Sequence, residues 1–303
     1  RASFGMTDED IAGKYHFPED GETTSSGSGS STQKPEEVPQ LREKHRTGDY
    51  NYGKVQNSKA FVKGSGDQNA VDPNDVAQGA LGDCYLLAAM AAVARANPEA
   101  IQKLIKDRGD GSYEVSLYIR KSTYGRPEKV TKVVDSQIPM KYGTSALYAK
   151  PGDQGAEGTE LWTALIEKTV AQHKGSYETI QGGQIADGFQ FHGATELLTG
   201  KFENYKTVAQ MQEDDILLEI AAALEGHKPV TCETQDMSTN EALAQEATKY
   251  NVHGNHAYAP THVDIERRTI DLQNPWGSDH VSALPVADFK KYYREEAHPF
   301  DLD

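Results

Sequence analysis

The sequence predicts an α+β fold whose first part is built on helices and whose last part is rich in strands. Three observations carry this. Residues 85–94, YLLAAMAAVA, hold no charge and no proline, so they form a helix heading into a core. A second helical period runs through residues 160–172, where Leu161, Ala164, Leu165 and Thr169 recur on one face. Beyond residue 228, short alternating runs at 229–234, 256–264 and 269–273, bounded by turn residues, replace the helical spacing.

The remaining elements follow in order. Residues 18–48 are rich in Ser, Gly, Pro and Glu and cannot bury enough apolar surface to order themselves. Residues 1–50 are therefore expected to be a flexible arm, with a short helix at 7–15 ahead of the linker. The break at Asn97-Pro98 ends the first helix, and a second is expected over 99–106. In residues 111–140, Val115, Leu117 and Ile119 alternate with polar neighbours, a Tyr-Gly-Arg-Pro turn follows, and Val130, Val133 and Val134 return, which predicts a hairpin. Gly182-Gly183 is a natural hinge, giving one lobe over 51–182 and another over 183–303. Glu266-Arg267-Arg268 turns the last strand pair, and helices are expected at 214–224 and 287–294. No internal repeat is visible.

At 303 residues the chain is long enough for two lobes, each with its own core. A net charge of −15 argues against a nucleic-acid backbone as partner. No apolar run approaches the roughly 18–20 residues of a membrane span. The two cysteines, Cys84 and Cys232, are too few for a disulfide framework or a cysteine-rich zinc site, and as free thiols they favour a reducing, cytoplasmic site of action. Because the sequence opens on Arg1, it is expected to be a processed or cropped piece.

Cys84 stands between a Gly-Asp turn and the apolar helix. There the unpaired N–H groups of the first turn and the macrodipole favour negative charge, lowering a thiol pKa from about 8.5 toward neutrality. Inert packing suits the same position, and the local sequence leaves both open. A nucleophile needs a base, a group to orient it and a donor for an oxyanion. Gln78, six residues upstream, offers an amide beside the Cys84 N–H, or is a loop glutamine facing solvent. His256 begins a strand and Asn274 ends its neighbour 18 residues later, so a hairpin sets them side by side. The Asn274 oxygen then accepts from the imidazole, and Trp276 shields that bond from water. His262 lies roughly 20 Å further along the same strand and cannot share the task. Spacing leaves His253 open as a rival.

The segments QGALGDC with YLLAA after it, HAY and NPWG resemble the nucleophile, histidine and asparagine segments of the calpain family of cysteine proteases. ELWTALIEKTVAQHKGSYETIQGGQIADGF resembles the stretch joining that family's core subdomains, VVDSQIPM resembles the strand before it, and FHGATE and LPVADFKKYYRE are fainter echoes. The similarity covers most of 71–303 in the expected order. It implies a papain-like, two-lobe protease core with the site in the cleft. Cys84 is then the nucleophile, His256 the base, Asn274 its orienter and Gln78 the oxyanion donor, and the resemblance selects His256 because it precedes Ala-Tyr. It also implies calcium. Asp75 and Glu160 fall on the family's side-chain ligand positions in the first lobe, and two carboxylates with backbone carbonyls suit a hard cation. The loop serving the second lobe is reduced here to SDHVSALPVADF, so at most one calcium site is expected. Tyr85 replaces the family's tryptophan, and Asn255 stands where glycine precedes the histidine. This length leaves no room for the regulatory domains of animal calpains.

The reading that results is a thiol endopeptidase acting on protein or peptide substrates, with its own N-terminal arm or flanking domains as further partners. Self-cleavage within 18–48 is part of that expectation. Two other readings stand beside it: a catalytically silent binding or scaffold module of the same fold, and acyl or amide transfer by the same thiol.

Overall fold

The computed structural model describes residues 34–299, apart from 66, 122–124, 156 and 184–192. The expected helix at 7–15 and most of the expected linker lie outside the described residues. The part of the arm that is described departs from expectation, because residues 34–49 pack onto the body. The Glu36 N–H donates to Val133 O at 2.9 Å, Tyr52 Oη donates to Pro39 O at 2.6 Å, and Leu41 and His45 are buried. His45 sits between the rings of Tyr50 and Tyr148, with Nδ1 2.9 Å from Tyr148 Oη. One apolar and one aromatic polar anchor are enough to dock it, and averaged composition hides them.

After strands β1 (Tyr50–Lys54) and β2 (Ser58–Lys59), helix α1 (Cys84–Ala96) forms the centre of the first core. Every residue from Tyr85 to Ala94 is buried, as a helix apolar on all sides requires. Asn97 then caps helix α2 (Pro98–Gln102), its side chain accepting from Ala100 N, with proline in the first turn. The helix expected to reach 106 stops at Gln102. Residues Ile105–Asp107 become β3, paired with β4 (Ser112–Ile119) in the register Ile105↔Val115. Local helix propensity loses to sheet pairing that buries Leu104 and Ile105. The expected hairpin is present: β4 pairs antiparallel with β5 (Glu128–Asp135) over eight positions, Ser112↔Asp135 to Ile119↔Glu128.

Strand β6 (Gln137–Lys141) pairs with β1 and with β7 (Ser145–Ala146). Strands β8 (Gln154–Gly155) and β9 (Gly158–Glu160) follow, and β9 runs parallel to β2 with Lys59↔Glu160. Helix α3 (Trp162–Lys174) therefore starts two residues later than the spacing predicts, and Glu160 belongs to a strand. Gly175, at φ 93°, ends α3 in the left-handed conformation glycine adopts freely. Lys168, buried on α3, is held by Asp135 at 2.5 Å and by Gln137 O at 2.7 Å. A buried ammonium requires such partners. The short helix α4 (Ala194–Thr199) packs against α1.

The last part forms a six-stranded sheet in the order β10-β15-β11-β12-β13-β14. Its strands are β10 (Glu203–Thr207), β11 (Thr231–Thr234), β12 (Ala257–Asp264), β13 (Thr269–Gln273), β14 (Val281–Pro285) and β15 (Tyr293–Pro299). Helices α5 (Glu213–Glu225), α6 (Glu241–Thr248) and α7 (Val286–Tyr292) accompany them, and a second hydrophobic core forms from Ile216, Leu272, Phe289 and Tyr292 among others. Strand β12 divides its faces between the cores. Ala257 and Ala259 join the first, and Tyr258 joins the second, as the two-residue period of a strand dictates. The small alanines let α1 approach this strand closely. Among the described residues, no helix is long and apolar enough to cross a membrane.

Candidate active site

Cys84 is the first residue of α1, with Asp83 at the N-cap. The backbone N–H groups of Ala257, at the start of β12, and of Tyr85 lie near its sulfur. These N–H groups favour the thiolate, as expected of a helix start. Burial nevertheless dominates and, with the negative charges of Asp83 and Glu233, pushes the thiol up to about 11. The expectation of a lowered pKa therefore fails for the resting site, where the sulfur is a neutral thiol.

His256 immediately precedes Ala257. Its backbone is clamped to the end of β11: the His256 N–H donates to Thr234 Oγ1 at 2.9 Å, and Thr234 N–H donates back to His256 O at 2.9 Å. The preceding residue, Asn255, has φ 53°. Asparagine tolerates this left-handed conformation better than other residues with a side chain, which accounts for its standing in a glycine position. Imidazole Nε2 lies 2.9 Å from Asn274 Oδ1. The Trp276 N–H also donates to that oxygen, at 3.0 Å. A backbone N–H can only donate, so the atom facing it is oxygen and the asparagine amide has one orientation. His256 Nε2 must then carry the proton, and the neutral ring keeps Nδ1 bare. The Trp276 indole packs on the imidazole with centroids 4.7 Å apart, and Tyr258 meets it edge-on at 4.8 Å. Burial pushes the imidazole down to about 4, against the raising effect of the Asn274 bond. His253 packs on the other neighbour of the pair, Trp276, at 4.6 Å.

The segment before Cys84 is tied to the turn after β13. The Gln78 N–H donates to Pro275 O at 2.8 Å, Gln273 Nε2 donates to Pro73 O at 2.7 Å, and Gly277, at φ 77°, lets the turn close against Ala77. Behind Gln78, Gly79 lies so close to Leu147 and Tyr148 that a Cβ would sit 2.5 Å from Leu147 O. The Gln78 amide points inward: Nε2 donates to Leu81 O at 2.6 Å and, at 3.4 Å, to Asp83 Oδ1. A cavity of about 530 Å³ opens beside it, lined by Gln78, Leu147, Lys150 and Trp276 among others. Tyr85 keeps an aromatic ring beside the cysteine and donates its hydroxyl to Ile180 O at 2.9 Å.

Asp75 and Glu160 also come together. Asp75 Oδ2 accepts from Asp72 N at 2.7 Å and from Trp162 Nε1 at 3.0 Å, while Glu160 Oε1 accepts from Val62 N at 2.8 Å. Glu160 Oε2 is buried with no hydrogen-bond partner among the described residues. Burial raises both carboxyls, helped by the charges of Asp153 and Asp72 at Asp75 and by that of Asp75 at Glu160. Asp67 and Asp153, absent from the sequence reading, place carboxylate oxygens within 4.8 Å of Asp75 and of each other. Gly152 has no room for a Cβ, which would collide with Glu160 Oε2. Sequence reasoning also missed Asp83, immediately before Cys84, and Glu167, both fully buried. Glu167 falls off the Leu161–Thr169 stripe of α3, so the helical period gave no signal for it.

A fold of mixed helices and sheets, with a cysteine at the start of its central helix and a hydrogen-bonded histidine–asparagine pair, is in keeping with the class of cysteine-protease cores. The profile of calpain family cysteine proteases matches residues 50–284. Over 211 residues the chain is 32% identical to the calpain-2 catalytic subunit of Gallus gallus, covering 67% of this chain and 28% of that protein. It is 31% identical over 211 residues to calpain-8 of Mus musculus, with the same coverage of 67% and 28%. With the calpain-1 catalytic subunit of Homo sapiens it shares 31% over 213 residues, 67% of this chain and 27% of that one. The chain belongs to the calpain family of cysteine proteases. It spans a little over a quarter of the length of these relatives.

Proposed function

We propose that this chain is a thiol endopeptidase core that cleaves protein substrates, with Cys84 as nucleophile, His256 as base, Asn274 as its orienter and Gln78 as oxyanion donor. The observation that supports the reading is the Asn274 hold on His256 Nε2, with the strand that follows His256 packed against the helix that Cys84 begins. The site lies in a cleft between two lobes, 51–182 and 183–303, and the division of β12 between two cores supports that arrangement.

Both partners rest neutral, so the proton moves as the bond forms. Sγ attacks the scissile carbonyl carbon while its proton passes to His256 Nδ1. The carbonyl oxygen becomes an oxyanion, held by the Cys84 N–H and Gln78 Nε2. Imidazolium then returns the proton to the leaving amine as the C–N bond breaks, leaving a thioester. Water attacks the thioester with His256 as base, releasing the acid product and restoring the thiol. Asn274 keeps the ring in the correct tautomer, and Trp276 keeps water from its hydrogen bond.

Asp75 and Glu160, with Asp67 and Asp153 beside them, suit a calcium ion: all offer hard oxygen, and Glu160 Oε2 is an acceptor with no donor. Asp75, Glu160, Asp67 and Asp153 would hold such an ion, which would supply positive charge against their carboxylates. Cleavage within the chain's own 18–48 segment belongs to the same reading. The raised Cys84 thiol and the inward Gln78 amide favour a second reading, a silent binding module. One experiment decides between them. Wild type is expected to cleave casein and to be labelled at Cys84 by an epoxysuccinyl inhibitor, and Cys84→Ala to do neither while folding normally. Cleavage by that variant, or an unlabelled wild-type Cys84 with and without calcium, refutes the enzyme reading.

A further inference from the structure

The mechanism leaves unused two buried carboxyls that lie directly behind the nucleophile. Asp83 is 0% exposed and Glu167, on α3, is 1% exposed. The Glu167 carboxyl accepts from Ala149 N at 2.9 Å and lies close enough to the Asp83 carboxyl for each to perturb the other. Asp83 Oδ2 is buried with no N–H or O–H donor among the described residues. Two buried carboxyls this close avoid repulsion by holding a proton between them, and burial raises both. The pair is thus a single buried acid–carboxylate unit carrying one charge.

Its other contact is Gln78. Both acceptors that face the amide, Leu81 O and Asp83 Oδ1, require nitrogen, so the orientation is fixed. One N–H makes a short bond of 2.6 Å to Leu81 O, and the other makes a long contact of 3.4 Å to Asp83. Gln78 Oε1 is buried with no partner among the described residues, so it does nothing to anchor the amide. The amide's position depends on Leu81 and on where Asp83 stands, and Asp83 stands where Glu167 holds it.

We propose that Glu167 is a positioning residue for acyl transfer, holding Asp83 so that the Gln78 amide keeps one N–H on Leu81 and leaves the other exchangeable for the oxyanion. The catalytic half of this proposal rests on the protease reading above. The developing charge on the carbonyl oxygen replaces the long, weak contact, and the short bond keeps the nitrogen in place. No proton leaves the pair during the exchange. Without the Glu167 partner, Asp83 shifts or takes up a proton itself, and the second N–H loses its fixed direction.

The test uses the full chain carrying Glu167→Leu, which removes both hydrogen bonds, and Glu167→Gln, which keeps an acceptor for Ala149 and a donor for Asp83. Glu167→Leu is expected to lower kcat about 30-fold with KM within about twofold, and Glu167→Gln to stay within about threefold of wild type. Alkylation of Cys84 by iodoacetamide passes through no oxyanion and is expected to change less than about twofold in every variant. In a Gln78→Ala background, Glu167→Leu is expected to add less than about threefold. The side-chain amide resonances of Gln78, assigned by their loss in Gln78→Ala, shift or broaden in Glu167→Leu and stay in place in Glu167→Gln. If Glu167→Leu does not fold, Asp83→Ala takes its place, since it removes the carboxyl that links Glu167 to the Gln78 amide. Full additivity with Gln78→Ala, a parallel fall in alkylation, Glu167→Gln as damaging as Glu167→Leu, or unmoved resonances overturns the proposal. A wild type that cleaves nothing sinks the protease reading instead, and the resonances alone then decide the positioning role.

Discussion

Replacing Asn274 by aspartate tests the base, its partner and the resting protonation state together. The substitution keeps an acceptor 2.9 Å from His256 Nε2 and adds a negative charge. Opposite unit charges about 4 Å apart at an effective dielectric of about 20 attract by about 4 kcal/mol. At about 1.4 kcal/mol per unit, that raises the imidazole by about 3 units. His256 titrates at about 4 in the wild type, so the variant is expected near about 7. The base must be neutral to accept the thiol proton, and activity is lost as pH falls through its pKa. Wild-type kcat/KM is therefore expected to be level between about pH 6 and 8, whereas the variant loses about tenfold over the same interval. Initial rates on a fluorogenic peptide across that range measure it, with circular dichroism to show an intact fold. An acid limb at the same pH in both proteins would refute the reasoning, because His256 would then not be the group that titrates or Asn274 not its partner.

Other outcomes follow from the same geometry. Asn274→Ala strands the Trp276 N–H and the His256 Nε2–H, and is expected to cost about 2 kcal/mol in urea denaturation along with most of kcat. Gly79→Ala drives a methyl into the Leu147 and Tyr148 carbonyls, so kcat/KM is expected to fall about 100-fold as Gln78 is displaced; an unaffected enzyme would show that this loop does not set the site. Calcium at about 100 times its dissociation constant is expected to stabilise the wild type by about 2.7 kcal/mol in thermal melts, and Glu160→Gln to lose that gain. Because burial and Asp75 raise Glu160, binding at neutral pH releases a proton and tightens as pH rises, which calorimetry in buffers of different ionisation enthalpy reads. Lys168→Met leaves the Asp135 carboxylate without its ammonium and is expected to destabilise the fold by about 3 kcal/mol.

Much of this architecture was legible in the residues, and what was not has identifiable causes. The α1 core helix, the β4–β5 hairpin and the β12–β13 pair carry strong periodicity, and tertiary packing had no reason to override it. Residues 103–107 read as helix because Leu104 and Ile105 fit either period; only the pairing with β4 makes them a strand. Glu160 looked like a helix-start glutamate and belongs to β9, two residues before the helix begins. For the Cys84 thiol, sequence position supplied the helix start but neither the depth of burial nor the buried charge of Asp83, and these two decide its sign. Asp83, Glu167, Asp67 and Asp153 meet partners tens of residues away, so no local window exposes them.

Strand β12 has a consequence for how the molecule fails. Its alanines belong to one apolar interior and its tyrosine to the other, so neither interior can melt while leaving this ribbon intact. Heating should give one sharp calorimetric peak for the described body in place of two. A slip of one position along the ribbon would exchange alanine for tyrosine beneath α1 and carry His256 away from the sulfur, so loss of alignment and loss of catalysis should arrive together.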